Sequence, residues 1–397
     1  MQTKAIRIPP YAAEVLRSLE KHGYEAYIVG GCVRDMLVGR AINDYDVCTS
    51  ARPEETLRLF PDSIPTGIKH GTVTVRSEGR FIEVTTFRSD GDYTDSRHPD
   101  SVRFLDTIRG DLSRRDFTIN AVAADIRGNI VDPFDGRADM RRRTIRCVGL
   151  PERRFSEDAL RMFRAIRFSA QLGFEIEEKT YSAIAALAPK AASLSAERVR
   201  DEVQKLLLST APCKLSQLIE LGLLDSYIRL RKPVEAQRIC RLRNDAVLRW
   251  SAASAVLLKA GCITDTGGFL RRLRLDKRTA GNASRGADIA AAAEICSPRE
   301  WKRVISHNGK EAAKCAASCM DVLYGEGHEK MLDAVLTSGE CAALSELAVT
   351  GNDIASVGIE GREIGRVLDR LLEHVIAFPE DNRKEILLGL ISQSAHF

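Results

Sequence analysis

The stretch Tyr27–Thr49, YIVGGCVRDMLVGRAINDYDVCT, constrains this chain more than any other part of it. The apolar run Tyr27-Ile28-Val29 predicts a buried strand. Gly30 and Gly31 follow, then Val33-Arg34-Asp35-Met36-Leu37 with the spacing of one helical turn, and Gly39 stops that turn. Asp44-Tyr45-Asp46-Val47 reads as a second strand, with Asp44 and Asp46 on one face and Tyr45 and Val47 in the core. Two unpaired carboxylates side by side raise one another's pKa, and a divalent cation removes that cost. Hard oxygen ligands at this spacing suit Mg²⁺, with phosphates completing the shell. The Gly-Gly turn lets the backbone approach a phosphate, and Arg34 stands one turn further on to pair with it. A D-x-D alone is commonly a solvated face and a Gly-Gly alone a turn; the combination is far more specific than either part.

Length and charge narrow the setting. The 397 residues suffice for two or three domains, and 44% hydrophobic with 29% charged residues is an ordinary globular composition. No apolar run approaches the length of a membrane span, so no membrane partner is expected. The N-terminus, MQTKAIRIPPYAAEVLRSLE, lacks the apolar segment of a secretory signal. Ten cysteines are scattered without a CxxC pair or a Cys/His zinc spacing, which fits reduced thiols in a cytoplasmic protein; Cys315 and Cys319 read as small helix residues. The net charge is only +4, but from Arg137 to Arg167 ten arginines face four acids (Asp139, Glu152, Glu157, Asp158). A basic zone beside a carboxylate pair points to phosphate or nucleic acid; a solvated helix surface is the plainer alternative.

Along the chain, Tyr11 to His22 predicts an amphipathic helix closed by Gly23, with apolar residues at 12, 15, 16 and 19. Pro53–Phe60 predicts a helix with proline in its first turn. Thr72–Val75 and Phe81–Phe87 predict a hairpin. Within the second run Glu83 reads as a third carboxylate next to Asp44 and Asp46, or else as an edge residue facing water. Arg88–Asp100 is polar, rich in turn residues and without periodicity, and predicts a mobile loop. Residues 113–124 predict a helix starting at Ser113 or Asp116, with Arg114 and Arg115 at its anion-favouring N-terminus. From about residue 140 strand signals nearly vanish. Helices are expected over 156–170, 177–188, 195–209, 213–223, 235–259, 266–274, 298–305, 310–323, 327–336, 340–347, 360–377 and 380–395, with 351–361 as punctuation.

The segment Ser156–Phe168 carries a further pattern. Ser156 suits a cap, and Leu160, Met162, Phe163 and Ile166 form an apolar face. Asp158, Arg161 and Arg164 form a slowly winding stripe opposite, with Arg167 drifting away from it. A solvated salt-bridge face is the commoner meaning of such a stripe. The functional meaning is that a carboxylate accepts and a guanidinium donates hydrogen bonds. Cytosine and adenine each offer an amino donor beside a ring-nitrogen acceptor, and Asp158 with Arg161 would match both. Uracil and guanine present the opposite polarity, and each misplaced polar pair costs on the order of 1–3 kcal/mol.

With these residues in hand, the chain resembles the bacterial CCA-adding tRNA nucleotidyltransferases, in the class that also contains bacterial poly(A) polymerases. GGCVRD, DYD, HGTVTV, EVTTFR, RRDFTINA, DPFDG and EDALRMFRAIRF occur in the family's order over the first 170 residues, and TGNDIASVGIEGREIG resembles its tail more loosely. The resemblance implies an α+β fold: an N-terminal nucleotidyltransferase head with a small mixed β-sheet, then an elongated all-helical neck, body and tail that hold tRNA. The expected boundaries are 1–140 for the head, 141–205 for the neck, 206–345 for the body and 346–397 for the tail. It further implies Mg²⁺ on Asp44 and Asp46, with Glu83 as the third carboxylate. Gly31, Arg34 and Arg115 would bind triphosphate, Asp158 and Arg161 would read the base, and Arg164 and Arg167 would help hold CTP or ATP. Asp116 and Asn120 are expected on the ribose side. The implied reaction is template-independent, two-metal addition of C, C and A to the tRNA 3′-OH with release of pyrophosphate.

Other readings stay open at this point. A CC-adding enzyme is expected to lack the flexible loop, which here carries Tyr93, Asp95, Arg97 and His98. An A-adding enzyme remains possible, while a poly(A) polymerase usually carries long basic terminal extensions. An RNA-binding protein on an inactive scaffold is opposed by the intact Asp44, Asp46 and Arg34. A dinucleotide-binding dehydrogenase is opposed by the absence of GxGxxG after the first strand. Monomer and homodimer are both compatible with the sequence.

Overall fold

A computed structural model of the chain describes residues 6–90, 102–292, 295–325 and 327–393. It divides into two compact units, Met1–Glu202 with Leu221–Ser226, and Val203–Glu220 with Tyr227–Phe397. The architecture is α+β, and among the described residues every strand belongs to the first unit.

In the first unit, α1 (Pro10–Lys21) buries Ala12, Val15, Leu16 and Leu19, and Gly23 leaves it at φ 86°. Next come β1 (Ala26–Val29), α2 (Gly31–Val38), β2 (Asp46–Thr49) and α3 (Pro53–Leu59). Gly39, at φ 77°, ends α2 in the left-handed region that suits glycine. β2 starts two residues later than the sequence suggests. Its ladder partners begin at Asp46, opposite Glu83, so Asp44 lies outside the strand. Tyr45 is correspondingly not in the core; it is half-buried, edge-on to the Tyr11 ring at 5.8 Å.

β3 (Ile64–Gly67), β4 (Thr72–Ser77) and β5 (Arg80–Thr86) complete one side of a seven-stranded sheet. The β4–β5 hairpin turns through Glu78 and Gly79, both at positive φ, the backbone of a tight two-residue turn. β6 (Arg88–Asp90) pairs with β7 (Val102–Phe104), so the first residues of the expected loop are strand. The loop's Tyr93, Asp95, Arg97 and His98 lie outside the described residues.

The helix expected from Ser113 or Asp116 does not form. Instead α4 (Ile108–Ser113) ends there, and residues 118–120 make a 3₁₀ turn before β8 (Ala123–Ala124) and β9 (Ile130–Val131). The backbone of 116–118 is committed elsewhere: Thr118 N–H donates to Arg146 O, Val148 N–H to Asp116 O, and Phe117 bridges Cys147. The sheet order is β3-β4-β5-β2-β1-β8-β9, with β2 parallel to β5 and the other pairings antiparallel.

α5 (Gly136–Arg142), unmarked by periodicity, begins where a Cβ on Gly136 would come within 2.2 Å of Thr118 O. β10 (Thr144–Ile145) pairs in parallel with β11 (Glu175–Ile176), framing α6 (Pro151–Glu157) and α7 (Leu160–Leu172). The single helix expected from Ser156 is thus two. Asp158 breaks it at φ −146°, ψ 106°, and its Oδ1 accepts Leu160 N–H at 3.0 Å. Ser156 lies in the last turn of α6 and caps nothing. α8 (Glu178–Leu187) and α9 (Ala196–Leu207) follow.

The second unit is helical: α10 (Leu215–Glu220), α11 (Ala246–Lys259), α12 (Thr266–Arg272), α13 (Lys277–Ala292), α14 (Pro298–Asn308), α15 (Lys310–Leu323), α16 (His328–Thr337), α17 (Gly351–Ser356), α18 (Arg362–Ala377) and α19 (Lys384–Gln393). The helix expected over 235–259 starts only at α11, where Asp245 Oδ1 accepts Leu248 N–H. The one expected over 340–347 is a 3₁₀ turn at Leu344–Glu346. α17, read as punctuation, is a helix with a Thr350–Asp353 capping box. α13 carries too few large apolar residues to show periodicity. It packs by smallness: a Cβ on Gly286 would stand 2.5 Å from Cys315 Cβ on α15 and 2.8 Å from Ser251 Oγ on α11. A second cluster, around Ile354, Val367, Leu371, Val375 and Leu387, joins α17, α18 and α19.

Candidate active site

The first unit contains a cleft of about 430 Å³. Gly30, Gly31 and Arg34 from the β1–α2 turn form one wall, with Asp46 from the start of β2. Arg114, Arg115, Asp116 and Asn120 form another, and Asp158, Leu160, Arg161, Arg164 and Phe168 a third; Arg198 comes from α9. Six arginines against three aspartates leave a cationic lining, suited to a polyphosphate.

The glycine turn has a steric reason. Gly30 sits at φ 78°, a backbone conformation that favours glycine, and a Cβ there would come 2.9 Å from Arg115 Nη1, so any other residue would displace that guanidinium from the turn. Arg34 is almost fully buried. It donates to Asp35 through two nitrogens at 2.9 and 3.0 Å and to Asn120 Oδ1 at 2.6 Å, and lies over the Phe168 ring at 5.1 Å. Arg114 and Arg115 are held by Asp111, a fully buried carboxylate. Its Oδ1 accepts Arg114 Nη2 at 2.8 Å and its Oδ2 accepts Arg115 Nη2 at 3.2 Å. Burial pushes the Asp111 carboxyl up, but the two guanidiniums outweigh it and hold it below the usual range.

Asp116 is the second buried anchor. Arg164 donates to its Oδ2 at 2.7 Å; Asn120 and the Phe117 N–H donate to its Oδ1. Burial opposes its charge, yet Arg164 and Asn120 bring its pKa down to about 2. At the opposite wall Asp46 behaves differently. Burial raises its pKa, Glu83 across the β2–β5 ladder and Asp44 add to the rise, and Arg115 opposes it. Asp44 and Glu83 lie outside the cleft lining but press on the carboxylate within it. Among the described residues no three His, Cys, Asp or Glu side chains converge as a metal-holding group. The donors nevertheless fit a cation of the Mg²⁺ type, which uses one or two carboxylates and completes its shell with water and phosphate oxygens. Relieving the repulsion around Asp46 favours that charge.

The stripe expected on one helix is divided among four ion pairs. Asp158 Oδ2 accepts Arg198 Nη2 at 2.8 Å, and Arg161 donates to Glu157 Oε2 at 2.8 Å and to Arg114 O at 3.1 Å. Arg164 pairs with Asp116, and Arg167 with Glu202, away from the cleft lining. Asp158, Arg161 and Arg164 therefore share the cleft with Gly31, Arg34, Arg115 and Asp46, while Arg167 does not. Sequence reasoning missed Asp111, Phe168 and Arg198. The spacing of Asp111 to Arg114 and Arg115, three and four residues, was a readable signal. Arg198 had none, since its partner is 40 residues away in sequence.

A glycine turn on a mixed sheet, a strand-borne carboxylate of raised pKa and an arginine-lined cleft together define a nucleotidyltransferase head. Residues 26–146 match the family described as "Poly A polymerase head domain", and residues 173–229 match "Probable RNA and SrmB- binding site of polymerase A". The CCA-adding enzyme of Geobacillus kaustophilus (strain HTA426) is 41% identical over 95% of both chains, and that of Enterococcus faecalis (strain ATCC 700802 / V583) is 35% identical over 95% and 94%. The crystal structure of Bacillus stearothermophilus CCA-adding enzyme in complex with CTP superposes with a TM-score of 0.79 at 37% identity, covering 97% of this chain and 98% of that one. The chain belongs to the CCA-adding enzymes.

Proposed function

We propose that this chain adds C, C and A in turn to the 3′ end of tRNA, taking CTP and ATP without a nucleic-acid template. The observation that carries the reading is the cleft itself, where a cationic lining and an acceptor–donor pair share one cavity with Asp46, in a chain matching CCA-adding enzymes over nearly its whole length. Arg34, from α2, and Arg115, whose guanidinium lies against the Gly30–Gly31 turn, take the triphosphate; each reaches the cleft already held by Asp35 or Asp111, so little side-chain freedom is lost on binding. Asp158 accepts from the amino group of cytosine or adenine, and Arg161 donates to the neighbouring ring nitrogen. Arg164, fixed on Asp116, lies alongside, and Arg167 braces α7 through Glu202. Asn120 and Asp116 serve the ribose side. Asp44 and Asp46 hold Mg²⁺, with Glu83 adjoining. That cation, when bound, supplies Lewis-acid activation of the 3′-OH and charge neutralisation at the leaving oxygens. The chain's own part is alignment: the attacking hydroxyl and the α-phosphate are brought into line while the arginines offset the phosphate charge. The helical segments beyond the head hold the tRNA. All ten cysteines are free thiols and no helix of the described residues is long and apolar enough to cross a membrane, in keeping with work in the cytosol.

The test is extension of a tRNA transcript that ends just before CCA, with Mg²⁺ and each nucleotide alone or combined, sized by gel. CTP alone should add two residues and ATP a third. A stop after CC despite ATP would make it CC-adding, addition of a single A only to a transcript already ending in CC would make it A-adding, and long A tails would make it a poly(A) polymerase. Binding without extension would leave an RNA-binding protein.

A further inference from the structure

Cys213 and Cys240 belong to no motif and stand well apart in the sequence, yet the fold brings their side chains into hydrogen-bond contact. Cys213 lies in the 3₁₀ turn Pro212–Lys214, just before α10, and Cys240 in the 3₁₀ turn Gln237–Arg241, ahead of α11. The two turns pack on each other within the second unit. Both residues are free thiols, Cys213 half-buried and Cys240 exposed.

Arg249 on α11 fixes this approach. Its buried guanidinium donates to Leu207 O at 2.7 Å and Ser209 O at 3.2 Å on one side, and to Leu242 O at 2.8 Å and Arg243 O at 3.2 Å on the other. The chain just before Cys213 is thereby tied to the chain just after Cys240 by one planar fork, which leaves the two segments little freedom to slide. Arg249 also interacts electrostatically with the Cys240 sulfur. A guanidinium nearby favours the thiolate, the form of cysteine that reacts. Cys213 has the opposite setting: burial, then the hydrogen bond with Cys240, push its thiol up. The proton of the pair therefore rests on Cys213, and the exposed Cys240 sulfur is left as the nucleophile.

We propose that Cys213 and Cys240 form a reversible disulfide site oxidised by peroxide, with Cys240 as the attacking sulfur and Cys213 as the resolving one. The Cys240 thiolate attacks one peroxide oxygen, the O–O bond breaks, and the departing hydroxide takes up a proton to leave as water. Cys240 is now a sulfenic acid. Cys213 then gives up its proton and attacks the Cys240 sulfur; the S–O bond breaks and the hydroxide leaves with that proton as a second water. Two thiols have lost two electrons, and one peroxide has become two waters. Between the two cysteines the chain leaves the second unit, contributes Leu221–Ser226 to the first and returns. The S–S bond closes that excursion into a covalent loop. Under a reducing poise such a bond is transient, formed by the oxidant and removed by thiol exchange.

The experiment titrates the reduced full chain with hydrogen peroxide, quenches it with N-ethylmaleimide and digests it without reductant for mass spectrometry. Cys296, another exposed free thiol, is the internal control. A peptide pair joined through 213 and 240 should appear, and dithiothreitol should release it. Cys240 should lose its alkylatable thiol about tenfold faster than Cys296. In C213S the reaction should stop at a Cys240 sulfenic acid that dimedone traps, and in C240S Cys213 should stay alkylatable. Absence of the joined peptide once Cys296 has oxidised would overturn the proposal, as would a joined peptide found only in a dimer on a non-reducing gel. Should a variant not fold, the joined peptide of the wild-type monomer decides by its presence or absence.

Discussion

The cleft of the first unit and the α11–α13–α15 core of the second use side chains in opposite ways. The cleft concentrates charge: six arginines and three aspartates, most held by a partner the chain itself provides. The helical core removes side chains: Ala252, Ala253, Ala283, Ala287, Ala313 and Ala316 are all buried, and Gly286 lets α13 close on its neighbours. One region stores electrostatic orientation for a ligand, and the other stores close packing. A mutation in the first should therefore change rate and selectivity at little cost in stability, and a mutation in the second the reverse.

The largest effect expected is on rate. D46N removes the carboxylate that Glu83 and Asp44 crowd. Single-turnover extension should fall by about a hundred- to a thousandfold or more, while tRNA binding by gel shift stays close to wild type. Retained extension would break the contrast at once. D116A cuts across the contrast, because Asp116 is both cleft residue and buried anchor. It should cost about 2–3 kcal/mol in urea unfolding, at the lower end for a broken buried pair because Arg164 keeps a third of its side chain in water. The sign with pH follows from its depressed pKa. The contribution of Asp116 is complete above its unfolded value near 3.9 and is lost as pH falls through about 2. D116A should accordingly lose less stability than wild type over that acid range.

G286A tests the other region. Its Cβ would press on Cys315 and Ser251, costing about 1–3 kcal/mol, with the CTP-over-UTP preference unchanged; an altered preference would couple packing to selection. The smallest effect concerns the cation. The pKa of Asp46 is raised in the fold, so the metal-free protein loses some stability as pH rises through that value. A divalent cation prefers the ionised form, so the rise in Tm on adding Mg²⁺ should grow over the same range and vanish in D46N. A pH-independent shift would place the cation elsewhere.

Legibility in the sequence followed the same division. The cleft residues of GG-x-VRD came in a short local pattern whose strand and helix were readable, as was the hairpin that brings Glu83 beside Asp46; of the D-x-D, only Asp46 lies on the strand and in the cleft. Features defined by long-range partners were not. The backbone of Asp116–Thr118 pairs with residues 146–148 in place of starting a helix, and Asp158, where the expected helix breaks, is held by Arg198, 40 residues further on. α13 was invisible because its packing depends on a missing side chain. Arg198 was invisible because what it holds lies on another helix.

The central claim is that protein side chains, with Asp158 foremost, select the nucleotide. Its most direct test is the single-turnover rate of adding each of the four nucleotides to a transcript lacking CCA, by wild type and by D158A. The account predicts a strong preference for C over U in wild type and the collapse of that preference in D158A, with D158A still folded. An unchanged preference in D158A would contradict it and move base selection to other residues.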